Sequence, residues 1–209
     1  SRVAAELLVG GSAASALRLQ PEAAGFLCLG GVSAADQDAL AQVTRVLDGY
    51  KDRLPVRYFA GKALPETVEE VRKAGRNTIV LLVSMIRDEE GRALSTREVS
   101  KQLSAISAAP VYGFAGTMMD TGAVGGALVD FASTGRQAAV KVLNGGRVVP
   151  GSPETKSPTP LLVDWRALRH WKLPLAQVPA EAVMMFRKPT LWEDHRGLIL
   201  GFLGVGLAQ

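Results

Sequence analysis

Polar and glycine residues follow three apolar segments of the chain, and their chemistry is suited to holding a small molecule. The apolar segments cover residues 26–29, 78–83 and 111–114. If these segments are neighbouring parallel strands, the loops at their carboxyl ends diverge and leave a crevice where ligands bind. Hydroxyl, thioether, carboxylate and guanidinium groups in such loops hold a polar or aromatic ligand in a fixed orientation. The candidate ligand-binding residues are Ser33, Asp36, Ser84, Met85, Arg87, Phe114, Thr117, Asp120 and Gly122.

Several of these residues have a structural interpretation that the sequence leaves open. Ser33 either caps the helix after it or offers its hydroxyl to a ligand. Arg87 either binds a carboxylate through two hydrogen bonds or pairs with one of the acidic residues at 88–90. Met118 and Met119 either pack beneath their loop or form an adaptable pocket wall, and we favour the pocket wall.

The sequence contains no recognisable catalytic or metal-binding set. Its two histidines, His170 and His195, do not stand in metal-ligand spacing with a cysteine or with each other. Ser84 lacks the G-x-S-x-G surroundings of a nucleophile elbow. The glycine pair at 30–31 lacks the G-x-G-x-x-G and G-K-[ST] patterns of nucleotide-binding loops. We therefore expect a protein that binds a ligand but is not an enzyme and needs no cofactor or metal.

Composition and charge exclude further classes of function. The chain has 209 residues, 47% of them hydrophobic, which is ordinary for a folded domain. Its formal net charge of +4 is spread along the sequence and gives no case for nucleic-acid binding. The single cysteine, Cys28, lies in an apolar segment and is interpreted as a small buried hydrophobic residue.

The order of apolar segments predicts an α/β fold with a doubly wound parallel sheet. Strands are predicted at 26–29, 56–59, 78–83 and 111–114, and the continuous run TIVLLV is typical of a strand covered on both faces. Helices are predicted between them, over residues 34–47, 66–73 and 97–107. A short strand at 161–163 and a helix at 165–171 follow a loop rich in glycine and proline.

Two groups of motifs identify a family that the chain resembles. PVYG at 110–113 precedes G-A-V-G-G at 122–126 and G-R-Q-A-A at 135–139. Near the C-terminus stand D-W-R-x-L-x-x-W at 164–171 and F-R-x-P-T-L-W-E at 186–193, with Thr190 where the family usually has serine. Over about residues 12–200 the chain resembles the ABC-type substrate-binding domains of the type I periplasmic binding protein superfamily. Within that superfamily it is most similar to the extracytoplasmic domains of membrane sensor histidine kinases.

This resemblance implies a domain organisation and a function. Residues 1–11 would be a linker or the end of a missing first lobe, and residues 12–185 would form the α/β domain, mainly a second lobe with crossovers to the first. The implied function is extracytoplasmic sensing of a small molecule, with lobe closure as the signal. The alternative is a solute-binding component of an ABC importer. Residues 1–9 lack the basic region and the cleavage site that are typical of a signal peptide. The sequence is compatible with a monomer or with a homodimer.

Residues 186–209 are interpreted as a juxtamembrane segment and the start of a transmembrane helix. A helix is predicted to begin near Thr190, with Glu193 completing a capping box. Residues 197–208 are uncharged, although a span needs about 20 apolar residues. A helix buried in the core is the alternative. The membrane interpretation places the protein on the periplasmic side of the bacterial inner membrane, held there by this helix.

The helix predicted at 165–171 places three large side chains on one stripe. Trp165, Leu168 and Trp171 are spaced three residues apart. We predict that all three are buried and act in folding rather than in ligand binding. On that basis Trp165→Ala would cost about 3–5 kcal/mol of stability.

Overall fold

The computed structural model describes residues 2–127, 139 and 161–187, with side chains from residue 8 onward. The helices are α1 (Arg2–Leu19), α2 (Ala34–Leu47), α3 (Leu64–Arg72), α4 (Thr96–Ile106) and α5 (Trp165–Trp171). The strands are β1 (Gly25–Gly30), β2 (Val56–Ala60), β3 (Thr78–Ser84), β4 (Val111–Gly113), β5 (Gly125–Ala127), β6 (Leu161–Asp164) and β7 (Val183–Met185). Short 3-10 turns stand at Asp48–Tyr50, Gly116–Met118 and Leu175–Gln177.

Four strands form one parallel sheet in the order β2-β1-β3-β4. All six residues of β1 are buried, as are the five central residues of β3. These two strands lie in the middle of the sheet, which explains why their sequences are apolar without alternation. The predicted parallel arrangement of the four strands is confirmed.

Helices cover both faces of this sheet, and each face has its own hydrophobic core. Alternate residues of β1 point to opposite faces: Phe26 and Cys28 pack with α1 and α2, whereas Leu27 and Leu29 pack with α3 and α4. Burial raises the pKa of the Cys28 thiol to about 12. Cys28 is therefore a protonated core residue, as the sequence indicates.

The helix boundaries follow local signals in the sequence. The α2 helix spans the predicted residues, with Ser33 as its N-cap. The α3 helix begins with Pro65 in its first turn, where a missing amide hydrogen costs nothing. The α4 helix begins one residue earlier than predicted, after Ser95.

A second, three-stranded sheet lies beside β4. β5 pairs antiparallel with β6, and β6 pairs parallel with β7. The amide of Val124 donates to the carbonyl of Val111, the first residue of β4 (2.7 Å), and the amide of Asp164 donates to the carbonyl of Val124 (2.8 Å). The chain therefore returns from the carboxyl end of β4 to its amino end before β5 begins.

The stripe predicted for α5 is only partly correct. Leu168 is fully buried in the core on the α1–α2 side of the sheet, and Trp171 packs against that core while half-buried. Trp165 is half-buried and lies in neither core, with the Arg169 guanidinium 5.5 Å from its ring centroid. Ala167 takes its place as a buried residue because the helix turns its 167–168 side toward the sheet.

The α1 helix crosses the predicted start of the α/β domain. It continues as one helix through residues 11 and 12, where the predicted domain begins. Val9 and Ala13, on either side of that point, lie in the same core.

Two further predictions fall outside the described residues. The G-R-Q-A-A motif at 135–139 is described only at Ala139, and the helix predicted to begin at Thr190 is not described. Among the described residues, no helix is both long and apolar enough to cross a bilayer.

Candidate functional site

A buried carboxylate, Asp36, organises the loops at the carboxyl ends of β1 and β3. Its oxygens accept hydrogen bonds from the hydroxyls of Ser84 (2.6 Å) and Ser33 (2.7 Å). They also accept hydrogen bonds from the backbone amides of Ser33 (3.2 Å), Ile86 (3.1 Å) and Arg87 (3.3 Å). Five donors from two loops thus converge on one side chain that is itself 0% exposed.

Local sequence signals create this arrangement. Ser33 and Asp36 form a reciprocal capping box at the start of α2, in which each side chain binds the other residue's backbone amide. Gly31 lies directly against the opposite loop, and a Cβ atom there would be 2.4 Å from the carbonyl oxygen of Arg87 and 2.5 Å from Asp36 Oδ2. A side chain at position 31 would therefore force the two loops apart.

The hydrogen bonds keep Asp36 ionised despite its burial. Desolvation raises the pKa of the carboxyl group, but the hydrogen bonds from Ser84, from Ser33 and from the Ile86 amide outweigh it. The pKa of Asp36 is consequently lower than its ordinary value. The negative charge is balanced by converging donors, without a cation among its described hydrogen-bond partners.

A small hairpin projects from the same edge of the sheet. Arg87 and Ala93 form an antiparallel bridge, and the amide of Leu94 donates to the carbonyl of Ile86 (2.7 Å). Asp88, buried at the base, pairs with Arg92 at 2.8 Å. Burial raises the pKa of Asp88, but hydrogen bonds from Arg92 and from the amide of Leu64 outweigh it and lower the pKa. Asp88 therefore anchors the hairpin to the start of α3.

Arg87 is exposed beside the Asp36 cluster. Its guanidinium donates to the carbonyl of Gly91 (3.3 Å). The neighbouring acidic residues are engaged by other cations: Asp88 and Glu90 by Arg92, and Glu89 by Lys62 at 3.8 Å. Arg87 therefore does not form the surface ion pair with residues 88–90 that the sequence left open.

An apolar groove of about 150 Å³ opens at the same edge, on the α1–α2 side of the sheet. Val83 at the end of β3 and the half-buried Phe114 after β4 form one wall. Ala39 and Val43 of α2 and Leu8 of α1 form the other. Polar groups and apolar surface thus lie at one sheet edge, which is the composition of a ligand pocket.

The structure brings some of the predicted residues together and separates others. Ser33, Asp36, Ser84 and the backbone of Arg87 form one cluster, with Phe114 at the same edge. Met85 is next to this cluster in the sequence but is fully buried in the core on the α3–α4 side. In this structure Asp36 and Met85 support the loops from beneath, and neither side chain is exposed.

The remaining predicted residues, Thr117, Asp120 and Gly122, lie beside α4 and α5. The carbonyl of Thr117 accepts a hydrogen bond from Arg97 (3.0 Å). Gly122 has a positive φ of 95°, and a Cβ atom there would lie 2.9 Å from Cβ of Ser104 on α4. Gly122 thus permits close packing of this loop on the helix.

Asp120 joins this loop to the D-W-R element. Its carboxylate accepts a hydrogen bond from Arg166 at 2.7 Å, and Arg97 lies at 3.8 Å. Arg166 also binds Asp164, the N-cap of α5, at 2.7 Å, and its guanidinium lies 4.0 Å from the ring centroid of Phe186. The hydrogen bond from Arg166 is the main cause of the lowered pKa of Asp120. Asp120 therefore lies between Arg166 at the start of α5 and Arg97 in the first turn of α4.

The two methionines after β4 pack beneath their loop. Met118 is 2% exposed, and a Cβ atom on Gly113 would collide with its sulfur. Met119 is 7% exposed. The interpretation of these residues as a pocket wall is wrong, because the return of the chain along α4 turns both side chains inward.

Sequence reasoning missed Arg166 and Asp88. The N-cap aspartate two residues before Arg166 was an available signal, because an N-cap carboxylate and an arginine in the first turn are close enough to pair. The D-x-x-G pattern at 88–91 was a signal for the turn of the hairpin. The described residues hold no group of three or more histidine, cysteine or acidic side chains placed to bind a metal.

Comparison with known proteins identifies the fold. No protein-family profile matches the chain, and no curated protein does. A conserved domain protein from Vibrio cholerae O1 biovar eltor matches with a TM-score of 0.53 and 14% identity, over 80% of this chain and 56% of its own. The ABC domain in complex with L-Trp from Streptococcus pneumoniae matches with a TM-score of 0.51 and 16% identity, over 85% of this chain and 61% of its own.

The chain thus spans less than two thirds of the length of these two structures. At such low identity the likeness concerns the fold alone. The α/β architecture expected from the sequence is confirmed: the chain has a periplasmic-binding-protein-like α/β fold.

Proposed function

We propose that this chain binds a small molecule at the carboxyl edge of β1, β3 and β4. The observation that carries the proposal is the Asp36 cluster, which fixes the two strand-end loops at the place where open α/β sheets bind ligands. A site that holds its polar groups in place before binding loses less entropy when the ligand arrives. The likeness to an ABC domain bound to L-Trp supports a small-molecule ligand of the same general kind.

The chemistry of this edge favours a ligand with a carboxylate and an apolar part. The exposed guanidinium of Arg87 offers donors for an anionic group. The hydroxyls of Ser33 and Ser84 already donate to Asp36 and hold the loop that carries Arg87. The groove beside Phe114 offers apolar contact. Because the chain spans only 61% of the L-Trp-bound structure, we propose that further chain supplies the opposite wall of the pocket.

Nuclear magnetic resonance titration tests this proposal at the weak affinity expected for one wall of a pocket. The 15N-labelled chain is titrated with L-tryptophan, with L-leucine and with glycine as the ligand without an apolar part. We expect saturable amide shifts at residues 30–33, 84–87 and 114–116 with the first two ligands. The absence of saturable shifts at these positions for all three ligands would contradict the proposed site.

Replacing Arg87 measures its contribution to binding. Arg87→Ala should weaken binding of a carboxylate ligand by roughly 1.5–3 kcal/mol, because a hydrogen bond to a charged group is lost. Arg53 is the matched control, since it is also exposed but lies before the amino end of β2. If Arg87→Ala binds as tightly as Arg53→Ala, Arg87 is a surface residue without a role in binding.

We further propose that the domain is the extracytoplasmic sensor of a membrane-bound two-component system, anchored at the bacterial inner membrane. The resemblance of the motifs at 164–171 and 186–193 supports this proposal. Closure around the ligand would then shift the population of two lobe arrangements. A solute-binding component of an ABC importer is the alternative with the same fold. We expect no enzymatic activity from the chain itself.

The gene sequence distinguishes these alternatives. A sensor requires an apolar segment that continues past Gln209 and a histidine kinase core after it. An importer component requires neither of them, and a gene that ends without a kinase core would exclude the sensor proposal.

A further inference from the structure

The guanidinium of Arg166 connects two parts of the chain that are distant in the sequence. It donates to the carboxylate of Asp120 at 2.7 Å and lies 4.0 Å from the ring centroid of Phe186. It also binds Asp164, the N-cap of its own helix, at 2.7 Å. Phe186 comes within reach because Met185, the residue before it, pairs with Asp164 in the β6–β7 ladder. We refer to the contacts of Arg166 with Asp120, Asp164 and Phe186 as the Arg166 junction.

Two residues of the Arg166 junction have a left-handed backbone. The φ angle is 64° at Asp120 and 58° at Phe186. Aspartate accepts such angles comparatively easily, because its short polar side chain can hydrogen-bond locally. A phenylalanine with a positive φ is by contrast an outlier that costs free energy and persists only where its surroundings hold it. The only other non-glycine residue with a positive φ in the described part of the chain is Lys172, at the end of α5.

Asp120 belongs to the fixed side of the junction. Arg97, in the first turn of α4, donates to the carbonyls of Thr117 (3.0 Å) and Met119 (2.9 Å). The hydroxyl of Thr121 forms a buried hydrogen bond of 2.7 Å with a serine of α4. The loop that carries Asp120 is therefore held on α4 by contacts that do not involve Arg166.

Phe186 belongs to the side that can move. Its side chain is 38% exposed and lies in neither hydrophobic core. The side chains of Arg166 and Asp120 are also about half exposed, at 47% and 52%. Exposed ion pairs and exposed cation–π contacts stabilise only weakly, by amounts similar to the cost of one left-handed bulky residue. The contacts that hold Phe186 are therefore opposed by a backbone strain of comparable size.

We propose that Arg166 is a conformational switch at the end of β7. In one position its guanidinium covers the ring of Phe186 and holds this residue at a positive φ. When the guanidinium moves away, Phe186 returns to the extended conformation, with φ near about −120°. This change alters the direction in which the chain leaves β7. Small changes in contacts shift the population of two such positions, because their free energies are similar. The switch does not require a ligand at the carboxyl edge and is tested on the chain alone.

The carbon-13 chemical shifts of Phe186 report its backbone conformation and test the proposal. In the wild type we expect the shifts of a mainly left-handed residue. Asp120→Asn removes the charge that holds the guanidinium but keeps a residue type that accepts a positive φ. The ratio of extended to left-handed Phe186 should rise about threefold in this variant, because one exposed ion pair is lost.

Glu98 provides the control for the change of charge. It is exposed and follows Arg97 in the first turn of α4, so Glu98→Gln removes the same charge beside the loop without changing the Arg166 junction. The Phe186 shifts of this variant should equal those of the wild type. If Asp120→Asn and Glu98→Gln give the same Phe186 shifts, or if Phe186 is already extended in the wild type, the proposal is wrong.

Two arginine variants test the guanidinium itself. Lysine keeps the charge but lacks the planar group that stacks on a ring and binds two carboxylates. Arg166→Lys should therefore shift Phe186 further toward the extended conformation than Asp120→Asn does. Arg169→Lys is the control, because Arg169 is also exposed in α5 but its guanidinium lies by Trp165. A lower urea midpoint for Arg166→Lys with unchanged Phe186 shifts would mean that Arg166 only stabilises α5, and would overturn the switch.

Discussion

Asp36→Ala should lower the free energy of unfolding by about 3–4 kcal/mol, as expected when one buried group that pairs several donors is removed. The variant leaves the hydroxyl of Ser84 and the amides of Ile86 and Arg87 without their acceptor. Because the loops are buried against each other at Gly31, water cannot replace the carboxylate without separating them. Urea unfolding followed by circular dichroism measures the loss.

Asp38 provides the control on the same helix. Its side chain is exposed, so Asp38→Ala should change stability by no more than about 0.5 kcal/mol. If the two variants are equally stable, the hydrogen bonds to Asp36 do not contribute to the stability of the fold. Asp36→Ala should also weaken ligand binding at the carboxyl edge, because it loosens the loops that carry Ser33 and Arg87.

The ionisation of Asp36 predicts how its contribution varies with pH. The pKa of Asp36 is lower in the folded protein than in the unfolded chain. Its contribution to stability is therefore fully present above the unfolded pKa of about 4. It is lost as the pH falls through the folded pKa. The stability difference between the wild type and Asp36→Asn should therefore decrease below about pH 4. A difference that is constant down to acid unfolding would show that the carboxylate charge is not involved.

The parallel sheet could be predicted because its strands carry local signals. β1 and β3 are buried on both faces, so their apolar runs identify them without knowledge of their partners. The capping box of Ser33 and Asp36 is equally local, since it spans four residues. The hydrogen bond from Ser84 to Asp36 then follows from the parallel pairing of β1 and β3, because this pairing brings the carboxyl ends of both strands to one edge of the sheet.

The position of Asp120 could not be predicted in this way. The distance of Asp120 from the carboxyl edge depends on the path of residues 114–124. No local sequence pattern indicates that this segment returns to the amino end of β4. Its partner Arg166 is 46 residues away in the sequence. The same return path buries Met118, whose position in a polar loop wrongly indicates exposure.

The second large effect on stability is expected in α5. There the smaller side chain, Leu168, should contribute more to stability than the larger one, Trp165. Leu168→Ala should cost about 3 kcal/mol, because it removes a fully buried side chain and leaves a cavity. Trp165→Ala should cost only about 1 kcal/mol, the usual effect away from the core, because the ring is half-buried and is covered in part by Arg169. Urea unfolding followed by circular dichroism compares them without using tryptophan fluorescence. A larger loss for Trp165→Ala would mean that its ring packs against a surface beyond the described residues, as the original prediction of a buried stripe requires.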